Sequence, residues 1–319
     1  MSSIPKQPPL TSSNDGIEPI AKGMEVLGGK EYSYFIVTQP HSFVTHVEIN
    51  RPEKLNSFHE AMWIELEKIF DALSLAPDVR VVVLSGAGNR AFCTGIDIKA
   101  ALEGGILGNK KSHVDTSSSQ DEKRTEIDAA RQAVLIRRHI AQFQKCVSSI
   151  ERCEKPVICV LHGFTYGLGI DISACTDIRI CSEDARFAVK EVDIGLAADI
   201  GTLTRLPKIV GSFSWVKEVS LSARYFQANE AHRVGFVSQV LANKAEALNE
   251  AFRMSQLLAS KSPIAVQGTK ELLNHAKNHS VADSLQYTGI WNSAALQTND
   301  VYESLSSLKK KVSPRFEKL

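Results

Sequence analysis

The segment His162-Gly-Phe-Thr-Tyr-Gly-Leu-Gly-Ile-Asp171 constrains the fold of this chain more than any other. It joins a short apolar strand, Val157 to Leu161, to the apolar run Ile170 to Ala174 through glycines at 163, 167 and 169. Glycine lets the backbone turn sharply, and the first turn of a following helix leaves its N–H groups without intrahelical partners. Such a helix start favours negative charge. Asp171 stands one turn further on. Glu191 and Asp199 follow in Val189-Lys-Glu191-Val-Asp-Ile-Gly-Leu-Ala-Ala-Asp199-Ile-Gly. Three acids in an otherwise apolar region point to proton transfer beside a stabilised oxyanion.

The rest of the pattern supplies a scaffold for such a site. Tyr34 to Val37 and Val44 to Ile49 read as strands, and Asn50-Arg-Pro-Glu-Lys-Leu-Asn56 reads as a turn. Glu60 to Leu73 has helical spacing through Met62, Leu66, Ile69, Phe70 and Leu73, and Val79 to Ser85 is a strand. Strand, helix, strand at this spacing predicts parallel pairing with crossover helices. A long helix is expected over Ala129 to Cys153, then strands at Val157–Leu161, Ile178–Cys181 and Phe187–Val189. After Pro207 helices dominate: Ser212 to Leu221, Ala228 to Arg233, Ala245 to Ser260, Pro263 to Lys277 and Val281 to Leu308. The chain thus divides into a flexible extension (1–30), an α/β core carrying the site (31–210) and a helical C-terminal region (211–319). Residues 102–128, polar and rich in Gly, Ser and Lys, read as a surface loop near the site mouth.

Composition excludes several classes. The 319 residues carry 37 basic and 36 acidic side chains, so no bulk field draws the chain to nucleic acid. No apolar run approaches the roughly 18 residues of a membrane span. The six cysteines form no C-x-x-C pair, which reads as buried reduced thiols rather than disulfides or zinc ligands.

Asn50-Arg-Pro-Glu-Lys-Leu-Asn56, Ala91-Phe-Cys-Thr-Gly-Ile-Asp97, the 162–171 turn and Ala174-Cys-Thr-Asp-Ile-Arg179 resemble the crotonase (enoyl-CoA hydratase/isomerase) superfamily, in its order and spacing. Within it, Lys190-Glu191-Val-Asp-Ile-Gly-Leu-Ala-Ala-Asp199-Ile-Gly-Thr-Leu is most similar to the 3,5-to-2,4-dienoyl-CoA isomerases. Asp171, where hydratases carry glutamate, points the same way. So do Ser262-Pro-Ile-Ala-Val-Gln-Gly-Thr-Lys270 and Trp291-Asn-Ser-Ala-Ala-Leu-Gln-Thr298.

The resemblance implies an α/β fold of stacked ββα turns with a helical C-terminal oligomerisation region, usually a hexamer built as a dimer of trimers. It implies an acyl-CoA thioester substrate, with coenzyme A belonging to the substrate and neither cofactor nor metal required. The thioester oxygen would lie between the backbone N–H groups of Ile96 and Leu168. Gly95, Ile96, Asp97, Ile98, Lys99 and Gly169 would line the substrate. The family more often has glycine where Leu168 stands, though a backbone donor survives that change. Glu191 and Asp199 would exchange protons with carbons 2 and 6 of the diene, with Asp171 as a supporting acid. Burial among Val189, Ile194, Leu196 and Ile200 is expected to raise the pKa values of the pair. Enoyl-CoA hydration, 3,2-enoyl isomerisation and non-catalytic acyl-CoA binding are the competing readings.

Other polar residues have structural readings. Asp97 and Asp177 suit turns or caps, and His162 suits a structural hydrogen bond. Asp193 is expected to face away from the pair, and Lys54, Lys99 and Lys309 to Lys311 to be solvated. The chain ends Glu317-Lys-Leu319, similar in its last two residues to an address read by the peroxisomal import receptor. The N-terminal stretch lacks the arginines of a mitochondrial transit peptide. The peroxisome is therefore the expected location, with the mitochondrion as the alternative.

Overall fold

Val81-Val-Val-Leu-Ser-Gly86 presents apolar side chains on both faces of one strand, so it needs cover on both sides. The computed structural model, which describes residues 31–103 and 128–319, supplies that cover. The expected 1–30 extension and most of the 102–128 stretch lie outside the described residues. β1 (Phe35–His41) and β2 (Val44–Ile49) pair antiparallel, and α1 (Glu60–Leu75) crosses to β3 (Val81–Gly86), which runs parallel to β2.

A repeating cycle then begins. From β3 the chain enters β4 (Ala91–Cys93), α2 (Ile98–Glu103) and α3 (Ala129–Arg152). The second cycle is β5 (Val157–Leu161), β6 (Phe164–Tyr166) and α4 (Leu168–Ala174). The third is β7 (Ile178–Ser182), β8 (Arg186–Ala188), a 3-10 turn over Glu191–Ile194 and α5 (Thr202–Ile209). In each cycle the first strand joins a six-stranded sheet and the second joins a four-stranded one. This is the stacked ββα core expected from the resemblance. The second sheet was not legible beforehand, because β4 and β6 are three residues each and too short to show a period.

Beyond α6 (Phe213–Ser222), β9 (Phe226–Gln227) completes the small sheet, and α7 (Ala228–Arg233) leads to β10 (Gln239–Leu241) at the edge of the large one. α8 (Lys244–Ala259) covers the outer face of the large sheet. Its Ala247, Ala251 and Ala259 pack with Val81, Val83, Ile158 and Val160, while Val82 and Leu84 face the main core with α1 and α3. α9 (Pro263–Ala276), α10 (Val281–Ala295) and α11 (Asn299–Lys310) follow. The single helix expected over Val281–Leu308 is broken where the Thr298 hydroxyl accepts from the Asp300 N–H and caps α11. Near the chain end, Arg80 donates to the carbonyls of Phe316 (2.7 Å) and Glu317 (3.1 Å). All six cysteines are buried and free. Among the described residues no helix is long and apolar enough to cross a membrane.

The 50–56 turn explains how β4 is aimed. Leu55 and Asn56 both adopt left-handed backbone, with φ of 53° and 55°. The buried Asn56 amide accepts from the Arg51 N–H at 2.9 Å and donates to the carbonyls of Ala87 (3.0 Å) and Ala91 (2.9 Å). One side chain thereby ties this turn to both ends of the β3–β4 connection. Next along the chain, Phe58 donates to the Gly95 carbonyl at 2.9 Å and accepts from the Asp97 N–H at 2.8 Å.

Candidate active site

The Phe58 bridge determines where the Ile96 amide points. In a parallel bridge the flanking residues use their groups toward the partner, here the Gly95 carbonyl and the Asp97 N–H. The Ile96 N–H therefore faces the opposite side, toward the β6–α4 turn. That turn is held by the Gly167 N–H donating to Ala188 at 3.0 Å, and α4 starts immediately after it. Leu168 is the first helical residue, so its N–H has no carbonyl one turn back. The two turns touch. A Cβ built on Gly95 would lie 4.0 Å from the Leu168 nitrogen, and one on Gly167 would lie 3.8 Å from the Gly95 Cα. Gly95 and Gly167 also have φ of 103° and 49°, values that suit glycine. The Leu168 side chain is buried in the main core.

Glu191 stands against the same junction. Its Oε1 would be 3.2 Å from a Cβ on Gly167, and its Oε2 is buried without a hydrogen-bond partner. Burial, reinforced by the charge of Asp199, lifts its pKa above the usual glutamate range, against local backbone N–H groups that act the other way. Asp171, one turn into α4, is 2% exposed. Burial pushes its pKa up to about 7, aided by the charge of Glu191 and opposed by hydrogen bonds from Thr202. The three acids thus form an electrostatic chain from core to surface.

Asp199 departs from expectation. It is exposed in this chain, and the stretch before α5 is anchored there by Gln144 donating to the Asp199 carbonyl at 2.6 Å. Val189 and Ile200 are buried as expected, but Ile194 is 61% exposed. The 3-10 turn runs along the surface, leaving Glu191 half-buried and Asp199 in solvent.

The remaining expected residues have clear places. Asp97 pairs with Arg51 at 2.7 Å and accepts from the Ala100 N–H at 3.1 Å, capping α2; the Arg51 hydrogen bond holds its carboxyl below the usual range. Ile98 is exposed and Lys99 follows it on α2. Gly169 packs α4 onto β4: a Cβ there would be 2.6 Å from the Cys93 carbonyl oxygen. His162 Nε2 donates to the Gly88 carbonyl at 3.0 Å, and burial takes its pKa down to about 4. Asp177 accepts from the Val157 N–H and pairs with Lys270 at 2.8 Å. Asp193 pairs with Lys190 at 2.8 Å on the surface. Sequence reasoning missed Asn56, Thr202 and Arg205. The signal for Thr202 was its place directly after Asp199-Ile-Gly. Among the described residues no group of three or more His, Cys, Asp and Glu side chains is arranged to hold a metal ion.

The raised Asp171 value has a consequence for stability. The folded chain keeps this proton up to about pH 7, whereas an unfolded aspartate loses it near about 4. The contribution of this group to stability is therefore greatest at low pH and is lost as pH rises through about 7. Asp171→Asn is neutral throughout and should flatten that slope. Urea unfolding across this window should show the variant gaining on wild type as pH rises; parallel curves would contradict the assignment.

Comparison with known proteins agrees with this geometry. Residues 44–254 match the enoyl-CoA hydratase/isomerase family model. A mouse protein named mitochondrial Delta(3,5)-Delta(2,4)-dienoyl-CoA isomerase is 41% identical over 299 residues, 94% of this chain and 86% of its own. An Arabidopsis thaliana protein named as the peroxisomal isomerase is 41% identical over 278 residues, 87% of this chain and 94% of its own. The solved enoyl-CoA hydratase of Bacillus anthracis superposes with a TM-score of 0.76 at 25% identity, covering 89% of this chain and 99% of its own. By its ββα core, the match over residues 44–254 and relatives at 41% identity over most of its length, this chain belongs to the enoyl-CoA hydratase/isomerase (crotonase) family.

Proposed function

We propose that the protein isomerises 3,5-dienoyl-CoA to 2,4-dienoyl-CoA, a step in the oxidation of unsaturated fatty acids. The observation that carries this reading is the half-buried Glu191 carboxylate beside the Gly95–Gly167 junction, with its Oε2 enclosed and free of any hydrogen-bond partner. The names and extent of the relatives at 41% identity support it. The Ile96 and Leu168 N–H groups flank that junction and suit a thioester oxygen. Preorganised donors of this kind contribute about 3 kcal/mol each toward an enolate-like transition state.

Carbon 2 is bonded to the thioester carbon, so the acid nearest the oxyanion turns is the one within its reach. Glu191 is that acid. It removes a proton from carbon 2, and the electron pair spreads over the thioester oxygen and carbons 2, 4 and 6. Asp199, further out along the segment, delivers a proton to carbon 6. The double bonds then lie at carbons 2 and 4. One proton passes from carbon 2 to Glu191 and another from Asp199 to carbon 6; exchange with solvent then returns both carboxyl groups to their starting protonation. The reaction is redox-neutral, so its balance calls for no cofactor beyond the coenzyme A of the substrate. Asp171, which carries a proton at moderate pH, tunes Glu191 without contacting substrate.

With purified protein, conjugated dienoyl-CoA absorbance should grow from 3,5-dienoyl-CoA, with little hydration of 2-enoyl-CoA. Glu191→Gln and Asp199→Asn should each lower kcat by about 10² to 10⁴-fold in folded protein. Turnover like wild type in either would contradict the pair, and dominant hydration would move the protein to the hydratase branch.

The oligomeric reading rests on α10 and α11. Val281, Leu285, Ile290, Leu296, Tyr302 and Leu308 are all exposed in the single chain, more apolar surface than two terminal helices ordinarily leave uncovered. These helices serve as the oligomerisation element of a hexamer built from two trimers, as in the family. Sedimentation at micromolar concentration should give the hexamer; a stable monomer would sink the proposal.

A further inference from the structure

Asp171 Oδ1 accepts from two donors at once. Thr202 reaches it through its backbone N–H at 2.6 Å and through its hydroxyl at 2.7 Å, and Thr202 is fully buried. Thr202 is the first residue of α5, so that N–H belongs to a helix start, which favours negative charge. The charged and titratable groups that act on Asp171 are Glu191 from the 3-10 turn, Arg205 from α5, Cys93 from β4 and Cys175 at the end of α4. Only Arg205 among them is a cation. It is itself engaged by Glu151 at 2.9 Å and Ser148 at 2.8 Å.

A protonated carboxyl oxygen is a donor with little remaining capacity to accept. An oxygen that receives two short hydrogen bonds is therefore the unprotonated one. We propose that Thr202 is a positioning residue that confines the Asp171 proton to Oδ2, so that the acid can donate only from that oxygen, into the space shared with Glu191. The inference rests on Glu191 being the base at carbon 2. It adds the element that keeps the supporting acid in one protonation geometry through the catalytic cycle. Between Asp171 and Glu191 the competent state carries a single proton, on Asp171, and activity declines at high pH when that proton is lost.

Thr202→Val keeps the shape and the backbone donor and removes the hydroxyl. The hydroxyl stabilises the ionised form, so its loss raises the pH at which Asp171 ionises, by about one to two units. Infrared titration of the protonated-carboxyl C=O stretch reads this without substrate, with Asp171→Asn supplying the subtraction. The alkaline limb of the kcat profile should move upward with it while KM changes little, and Thr202→Ser should return both to wild type. If the valine variant does not fold, Thr202→Ala is read by the same titration. An unmoved infrared midpoint, or a uniform loss of kcat with the limb in place, would overturn the proposal by reducing Thr202 to packing. An infrared shift in a protein with no isomerase activity would instead overturn the proposed reaction and leave the protonation geometry standing.

Discussion

The close packing of α4 on β4 is the constraint on which the site depends. Gly169 lets the helix backbone approach the Cys93 carbonyl more closely than any side chain would allow. Given that approach, Gly167 meets Gly95, the Leu168 and Ile96 amides lie on adjoining turns, and Asp171 falls one helical turn behind them. Asn56 supports the arrangement from the other side, because it fixes the β3–β4 connection from which Gly95 projects. Catalytic geometry here is set by backbone separation, and the side chains act on a frame already in place.

The acids are graded by depth. Asp171 is in the core, Glu191 is half-buried and Asp199 is exposed in the single chain. Desolvation acts most on the first, which keeps its proton near neutrality, and less on the second, whose pKa is still raised and whose Oε2 has no hydrogen-bond partner. Such a gradient suits a reaction that takes a proton at one carbon and returns one four carbons away. A fully solvated pair would lack the basicity, and a fully buried pair would lack a route for exchange with water.

Much of this was legible in the sequence because glycine and buried acids are informative residue types. The 162–171 turn and the parallel crossover from β2 through α1 to β3 follow from spacing and chemistry, whereas the roles given to the three acids rest on the family resemblance. The short strands did not, since pairing in the small sheet is decided by distant partners: β6 lies between β4 and β8. The environment of Asp199 was misjudged for a related reason. Aliphatic neighbours in sequence say nothing about which side of a 3-10 turn faces water, and Ile194 faces out. Thr202 was missed because threonine is common at helix starts, and only the tertiary contact between α5 and α4 makes it a partner of Asp171.

The central claim is that two separate groups carry the two protons. Isomerisation in deuterium oxide, with the label in the product located by NMR, tests it most directly. If Glu191 takes the carbon 2 proton and a solvent-exchanged Asp199 supplies carbon 6, each product molecule formed in a single turnover should carry deuterium at carbon 6. Transfer of the substrate's own hydrogen from carbon 2 to carbon 6, without solvent label, would mean that one group carries it across and would contradict the account.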